Sequence, residues 1–149
     1  MTFFKFEADF VQSLRCIPMA VRYKLDTCGV KLKLEHWNHF SEIERQSLVE
    51  QPCETSTDIN EYRDRLQSLV TQHTGSPAKT LPIDEHPDWA KSDVIPAQVT
   101  QKGTECGTVI TPEQWATLTP MQRFALIKLS RPSHENKSFV PALQEFNLL

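Results

Sequence analysis

Histidines have the widest chemical range of any side chain in this sequence, and two of the five stand close together. His36 and His39 are three residues apart beside Trp37, a spacing that can place both imidazole rings on one face of a helix. Such a pair could bind a metal ion or respond to pH. Nothing nearby completes a set of metal ligands, so the sequence favours two solvent-facing histidines and predicts no metal site.

The other reactive residues do not form a pattern that predicts catalysis. Four cysteines occur without a C-x-x-C motif, which favours buried, reduced thiols. Ser133, His134 and Glu135 are consecutive, and three consecutive residues cannot form a catalytic triad. The chain contains no phosphate loop, dinucleotide fingerprint, nucleophile elbow or metalloprotease helix. We therefore predict a protein that is not an enzyme and that carries no cofactor.

Length and composition favour a single folded domain over 1–149. A chain of 149 residues, of which 39% are hydrophobic, has enough apolar surface for a core. No apolar run approaches the roughly 20 residues that span a bilayer. The first residues carry acids where an export signal is apolar, so we expect a cytoplasmic protein. The net charge of −3 provides no strong field for binding nucleic acid.

An internal repeat is predicted from the alignment of the chain with itself. An offset of 78 residues aligns 17–48 with 95–126 without gaps and gives ten identities in 32 positions. Unrelated sequences of ordinary composition would give about two. We interpret four of the identical residues as structural anchors of the repeat: Trp37, Trp115, Cys28 and Cys106.

Each copy of the repeat is predicted to form a helix–turn–helix unit. Proline stands at the first turn of the first helix in both copies. Gly29 and Gly107 fit the left-handed position just past the end of that helix. A short extended segment and a turn around the tryptophan then lead to a second helix, which begins with capping residues at Ser41 and Thr119.

An arginine recurs four residues past the second cap of each copy, as Arg45 and Arg123. These two residues could each clamp an anion. Alternatively, their guanidinium groups bond free backbone carbonyls or a neighbouring carboxylate, while the tryptophan fills the corner between two helices. The second interpretation is favoured.

The rest of the chain is predicted to be mainly helical. Apolar residues from Phe3 to Ile17 recur at three- and four-residue steps, which predicts one helix over this segment. An apolar stripe over 59–73 predicts the clearest helix, closed by Gly75. Prolines predict an extended connector over 75–95, and a last short helix follows near the C-terminus.

These elements together predict an all-α fold. No convincing strand ladder is present, since the alternating run over 30–34 offers at most one edge pair. The predicted architecture is a compact helical domain in which the two related helix–turn–helix units, 17–48 and 95–126, pack with additional helices.

The N-terminal part of the chain carries a more specific likeness. Its sequence over 6–10, 14–19 and 22–32 resembles the nitrate-reductase-associated protein family. The similarity continues through isolated positions and covers most of the chain: Trp37, Arg45, Pro52, Cys53, Tyr62, Leu81 and Pro82. The N-terminal block is the specific part, because the later positions would not identify the family alone.

This resemblance implies a small accessory factor that is needed for an active, ferredoxin-linked nitrate reductase containing molybdenum. The implied partner is nitrate reductase, held either as the apo-enzyme during cofactor insertion or as the finished enzyme. No catalytic residues carry over from the family. Two alternatives stay open: a carrier of an anionic small molecule such as molybdopterin cofactor, and a regulator that binds nucleic acid.

Basic residues near the N-terminus are the predicted partner-binding surface. Residues 1–33 carry six bases and three acids, although the whole chain is acidic. Core packing does not require these cations, so they are available to a partner. The candidates are Arg15, Arg22, Lys24, Lys31 and Lys33, and the candidates for an anion are Arg45 and Arg123.

Overall fold

The computed structural model describes residues 3–8, 14, 16–131 and 138–149. The chain divides into two compact units, one formed mainly by Glu7–Asp84 and the other by Glu85–Leu149 together with Phe4–Phe6. Helices make up most of the described residues, which contain one small two-stranded sheet. The predicted all-α fold class is confirmed. Within the same residues, no helix is both long and apolar enough to cross a membrane.

The first unit combines α-helices with a short β-ribbon. Its elements, in chain order, are α1 (Met19–Cys28), β1 (Val30–Lys31), α2 (Leu34–His39), α3 (Glu42–Glu50), α4 (Ser56–Thr74) and β2 (Lys79–Thr80). The two strands are antiparallel, with Val30 opposite Thr80 and Lys31 opposite Lys79. Helices α1 and α2 contact α4, and α1 also contacts α3, so these helices enclose one core.

Helix α4 forms because its sequence carries both a start signal and one apolar face. The Thr55 hydroxyl accepts the Asp58 N–H, and the Asp58 carboxylate accepts the Thr55 N–H, which makes a capping box. The buried residues lie on one face at helical spacing: Tyr62, Leu66, Leu69 and Val70. Gly75 ends the helix with a φ of 91°. The helix predicted over 59–73 and its closing glycine are confirmed.

The second unit is built around the helix that has the most buried residues. Its elements are a 3-10 helix (Asp88–Ala90), α5 (Ala97–Glu105), α6 (Pro112–Thr117), α7 (Pro120–Leu129) and α8 (Phe139–Glu145). Helix α7 contacts the 3-10 helix, α5 and α8, and it buries four consecutive apolar residues from Phe124 to Ile127. A helix that is apolar on several sides is stable only when neighbours cover those sides.

Two local predictions are wrong. The segment around each tryptophan is a short helix, α2 or α6, rather than a turn. The predicted helix from Phe3 to Ile17 is not continuous, because Leu14 takes a φ of 54°. The carbonyl of Leu14 accepts the indole N–H of Trp37 at 2.7 Å, so a long-range partner fixes a conformation that the apolar spacing could not indicate. Phe10, on which that spacing partly depended, lies outside the described residues.

Candidate functional site

Helix α1 carries two of the predicted partner-binding residues, and both of its ends are fixed. The Met19 N–H donates to the carboxylate of the buried Glu7 at 3.1 Å, which satisfies a helix start that has no local side-chain cap. Gly29 ends the helix in the left-handed conformation, as predicted, with a φ of 74°. Arg22 is exposed on this helix, and its Nε donates to the Ile17 carbonyl at 3.1 Å.

Lys24 lies on the same helix but is directed toward the end of α3. Its Nζ donates to the carbonyls of Val49 and Gln51, at 2.6 Å each. Cations stabilise helix C-termini, where carbonyls lack partners. Burial lowers the pKa of Lys24, against the opposing influence of Cys53 and Glu54. The donors of Lys24 therefore stabilise the fold.

Lys31 and Lys33 follow α1 on the extended segment that contains β1, and both are exposed. Between them Leu32 is half-buried against the core, so the segment alternates as a strand does. Lys33 Nζ lies 4.0 Å from a Glu35 carboxylate oxygen. Arg15, the remaining residue of the predicted surface, lies outside the described part of the chain.

Arg45 lies next to Trp37 in the first unit. Its guanidinium group donates to three backbone carbonyls: Trp37 at 3.0 Å, Asn38 at 3.1 Å and Leu14 at 3.3 Å. Trp37 is fully buried, and its indole N–H donates to the same Leu14 carbonyl. The side chains of Trp37 and Arg45 thus connect α2 and α3 to the segment that precedes α1.

The second unit contains a similar arrangement. Arg123 is 5% exposed, and its guanidinium group donates to the carbonyls of Trp89 at 2.7 Å, Leu118 at 2.6 Å and Trp115 at 3.3 Å. Trp115 is fully buried, and its indole N–H donates to the Lys91 carbonyl at 3.1 Å. In both units an arginine bonds the carbonyl of a tryptophan eight residues earlier. Internal duplication of the chain itself remains a prediction.

The cysteines are free thiols in different surroundings. Cys28 and Cys53 are buried, whereas Cys16 and Cys106 are half-buried. Burial raises the pKa of the Cys28 thiol to about 12, and its Sγ lies 3.8 Å from the Leu25 carbonyl oxygen. A thiol with so high a pKa is a poor nucleophile and metal ligand at neutral pH. Among the described residues, no three His, Cys, Asp or Glu side chains form a metal-binding group.

The neighbouring histidines take separate roles. His36 Nδ1 accepts the Lys33 N–H at 3.1 Å and helps to start α2, while His39 is exposed. Helix α2 therefore uses one imidazole in its own cap.

Comparison with known proteins assigns the chain to a family. The family model described as conserved nitrate reductase-associated protein matches residues 3–146. The chain belongs to this family. The resemblance predicted from the N-terminal block is confirmed. No curated protein and no solved structure matches the chain.

In this member of the nitrate reductase-associated family, three residues that shape the β-ribbon were not predicted from the sequence: Lys79, Gln67 and Ala78. Lys79 lies opposite Lys31 across the β-ribbon, although 48 positions separate them in sequence. The Gln67 side chain accepts the Ala78 N–H at 2.8 Å and donates to the Ala78 carbonyl at 3.0 Å, which fixes the approach to β2. These residues can be identified only from contacts between distant parts of the chain, and the periodicity of apolar residues does not indicate such contacts.

A pH-dependent contact in this nitrate reductase-associated protein gives a testable prediction. Glu44 Oε1 lies 2.8 Å from Ser41 N and 2.9 Å from His73 Nε2. The hydrogen bond from the Ser41 N–H, together with His73, lowers the pKa of Glu44, while burial has the opposite effect. Because the folded pKa lies below the unfolded value of about 4.3, this carboxylate stabilises the fold above that pH and the contribution disappears as pH falls through the folded pKa. In urea unfolding, the stability difference between wild type and Glu44→Gln should shrink as the pH falls below about 4.

Glu42→Gln is the matched control for that measurement. Glu42 lies in the same first turn of α3 and is exposed, but the capping box uses Glu44 instead. We expect Glu42→Gln to remove little of the pH dependence. An equal effect of both changes would show that general helix electrostatics, rather than the Glu44 contacts, produces it.

Proposed function

We propose that this protein is a non-catalytic accessory factor in the cytoplasm that binds nitrate reductase and holds the apo-enzyme while its cofactor is inserted. The family description associates such proteins with nitrate reductase and names no reaction. The observation that carries a binding role is the exposed cationic segment at Lys31 and Lys33, in a chain with a net charge of −3. These side chains contribute little to the core and are open to a partner.

The contacts of Arg45 and Arg123 favour a role in protein binding over that of an anion carrier. Arg45 and Arg123 each direct the guanidinium group to three backbone carbonyls. An anion would have to compete with these carbonyls, and buried carbonyls that lose their donors are costly. Protein–protein binding through exposed residues requires no such rearrangement.

A pull-down tests the proposal. Tagged protein is incubated with lysates that express nitrate reductase, prepared with and without synthesis of the molybdenum cofactor. We expect enrichment of the reductase in both lysates and several-fold more when the cofactor is withheld, because the apo-enzyme is the proposed client. Equal enrichment from both lysates would contradict selective binding of the apo-enzyme. No enrichment from either would contradict direct association.

A further inference from the structure

The β-ribbon places two lysines directly opposite each other. Lys31 on β1 pairs with Lys79 on β2, and both side chains are exposed. Directly opposite residues of an antiparallel pair have Cβ atoms about 5 Å apart and lie on the same face. Like charges at such positions destabilise the pairing of strands. The register therefore places two lysine side chains beside each other at positions where like charges are unfavourable.

Neither lysine of this pair is neutralised within the described chain. No carboxylate of a described residue lies within 4.0 Å of Lys31 Nζ or Lys79 Nζ, since the ion pairs found there involve other residues. Lys33 adds a third cation two positions along the extended segment from Lys31. Its contact with Glu35 is exposed and 4.0 Å long, and such contacts contribute little.

The fold holds this lysine pair in place from both strands. A two-residue ribbon would not be stable alone. Val30 is 1% exposed and anchors β1 in the core, while the two hydrogen bonds of Gln67 hold Ala78 at the start of β2. The Leu81 N–H donates to the Gly29 carbonyl at 2.8 Å and extends the pairing by one step. The cations are thus attached to a backbone fixed on both sides.

We infer that the lysine pair, Lys31 and Lys79, with Lys33 beside it, binds an acidic segment of a partner protein. An extended segment places alternate side chains about 7 Å apart on one face, which is also the spacing expected from Lys31 to Lys33 along the extended segment that contains β1. Carboxylates at alternate positions could therefore meet Lys31 and Lys33, and Lys79, which lies opposite Lys31 on the same face, adds a second ammonium group for the carboxylate at Lys31. This inference rests on the proposed function in taking nitrate reductase as the protein that supplies the segment.

The test uses a peptide probe and the reductase separately. Amide NMR spectra of the full-length protein are recorded with hexaglutamate, with inorganic phosphate and with hexaserine. We expect hexaglutamate to shift the amides of Lys31, Lys33 and Lys79, and the shifts to disappear in Lys31→Glu/Lys79→Glu. The amides of α4, whose buried residues belong to the same core as Val30 of the ribbon, report that the first unit of the variant is still folded.

Two results of the peptide experiment would overturn the inference whatever the reductase does. One is the absence of shifts in the ribbon with hexaglutamate. The other is an equal response to inorganic phosphate at matched concentration, which would make the ribbon a general anion site rather than a site for an acidic segment.

Binding to nitrate reductase is then compared in wild type, Lys31→Glu/Lys79→Glu and the control Lys91→Glu/Lys128→Glu. The control carries the same change of charge in the second unit, where both lysines lie outside the ribbon. We expect about tenfold weaker binding for the ribbon variant alone, and weaker wild-type binding in high salt. Equal binding by the ribbon variant and wild type would overturn the inference and leave the proposed function intact. Failure of wild type to bind would count against the proposed function, while the peptide result still decides the inference.

Discussion

Replacing Arg123 by alanine should lower the free energy of unfolding by about 3 kcal/mol, a large effect for one side chain. Arg123 is 5% exposed and donates to three backbone carbonyls, those of Trp89, Trp115 and Leu118. Hydrogen bonds from a charged donor contribute more than neutral ones, and carbonyls left without a donor in a buried site keep their desolvation penalty. Urea unfolding followed by far-UV circular dichroism measures the loss.

Arg45→Ala is the matched control, because Arg45 makes the corresponding contact to Trp37 in the first unit but is only half-buried. We expect about half the loss seen for Arg123→Ala, since water can replace the guanidinium group at the more exposed site. Arg123→Lys should recover only part of the stability, because one ammonium group cannot span carbonyls that a planar guanidinium fork reaches. Unchanged stability of Arg123→Ala, combined with loss of anion binding, would instead assign this residue to an anion site.

Much of the fold could be predicted because its signals are local. The capping residues Ser41, Thr55 and Thr119 bond amides three residues away, so sequence spacing is enough to find them. Gly29 and Gly75 both have positive φ at helix ends, where glycine has the lowest conformational cost. The apolar stripe of α4 also repeats at short range.

The features that could not be predicted depend on residues far apart in sequence. The conformation of Leu14 is fixed by Trp37 and Arg45, which lie 23 and 31 residues later. The short helix α6 is a different case, because its start signal is local: Thr111 and Gln114 form a capping box and Pro112 stands in the first turn, which the expectation of a turn overlooked. The pairing of Lys31 with Lys79 depends on the register of the two strands, and strands of two residues are too short for the sequence to indicate their register.

The candidate site was predicted less well than the fold, because a cation looks the same in sequence whether it binds a partner or the protein's own backbone. Lys24 and Lys31 both fall in the basic N-terminal block. In the structure Lys24 donates to two carbonyls near the end of α3, whereas Lys31 is exposed on the ribbon. Burial and hydrogen bonding separate the two roles, and both are properties of the packed chain.

Gly29→Ala should be the other severely destabilising change, with a loss of about 3 kcal/mol in the free energy of unfolding. Gly29 has a φ of 74°, a conformation that costs about 1 kcal/mol or more for residues with a Cβ. A Cβ here would also lie 2.7 Å from the Leu81 carbonyl oxygen and 2.8 Å from Ile83 Cγ1. The first of these is a backbone atom of the segment that follows β2, so relief requires the strand to move.

Gly75→Ala separates the two contributions to this loss. Gly75 has a φ of 91°, but nothing lies within 4 Å of the position where its Cβ would be. We expect Gly75→Ala to cost only the conformational part, about 1 kcal/mol. Hydrogen exchange supplies a second readout, because the Leu81 amide donates to the Gly29 carbonyl. This amide should exchange faster in Gly29→Ala, and its exchange rate should be unchanged in Gly75→Ala.

The movement of β2 in Gly29→Ala should also displace Lys79 from Lys31. Gly29→Ala should therefore weaken hexaglutamate binding, although it changes no lysine. Equal losses of stability in the two variants would show that the close approach of β2 to Gly29 is unimportant.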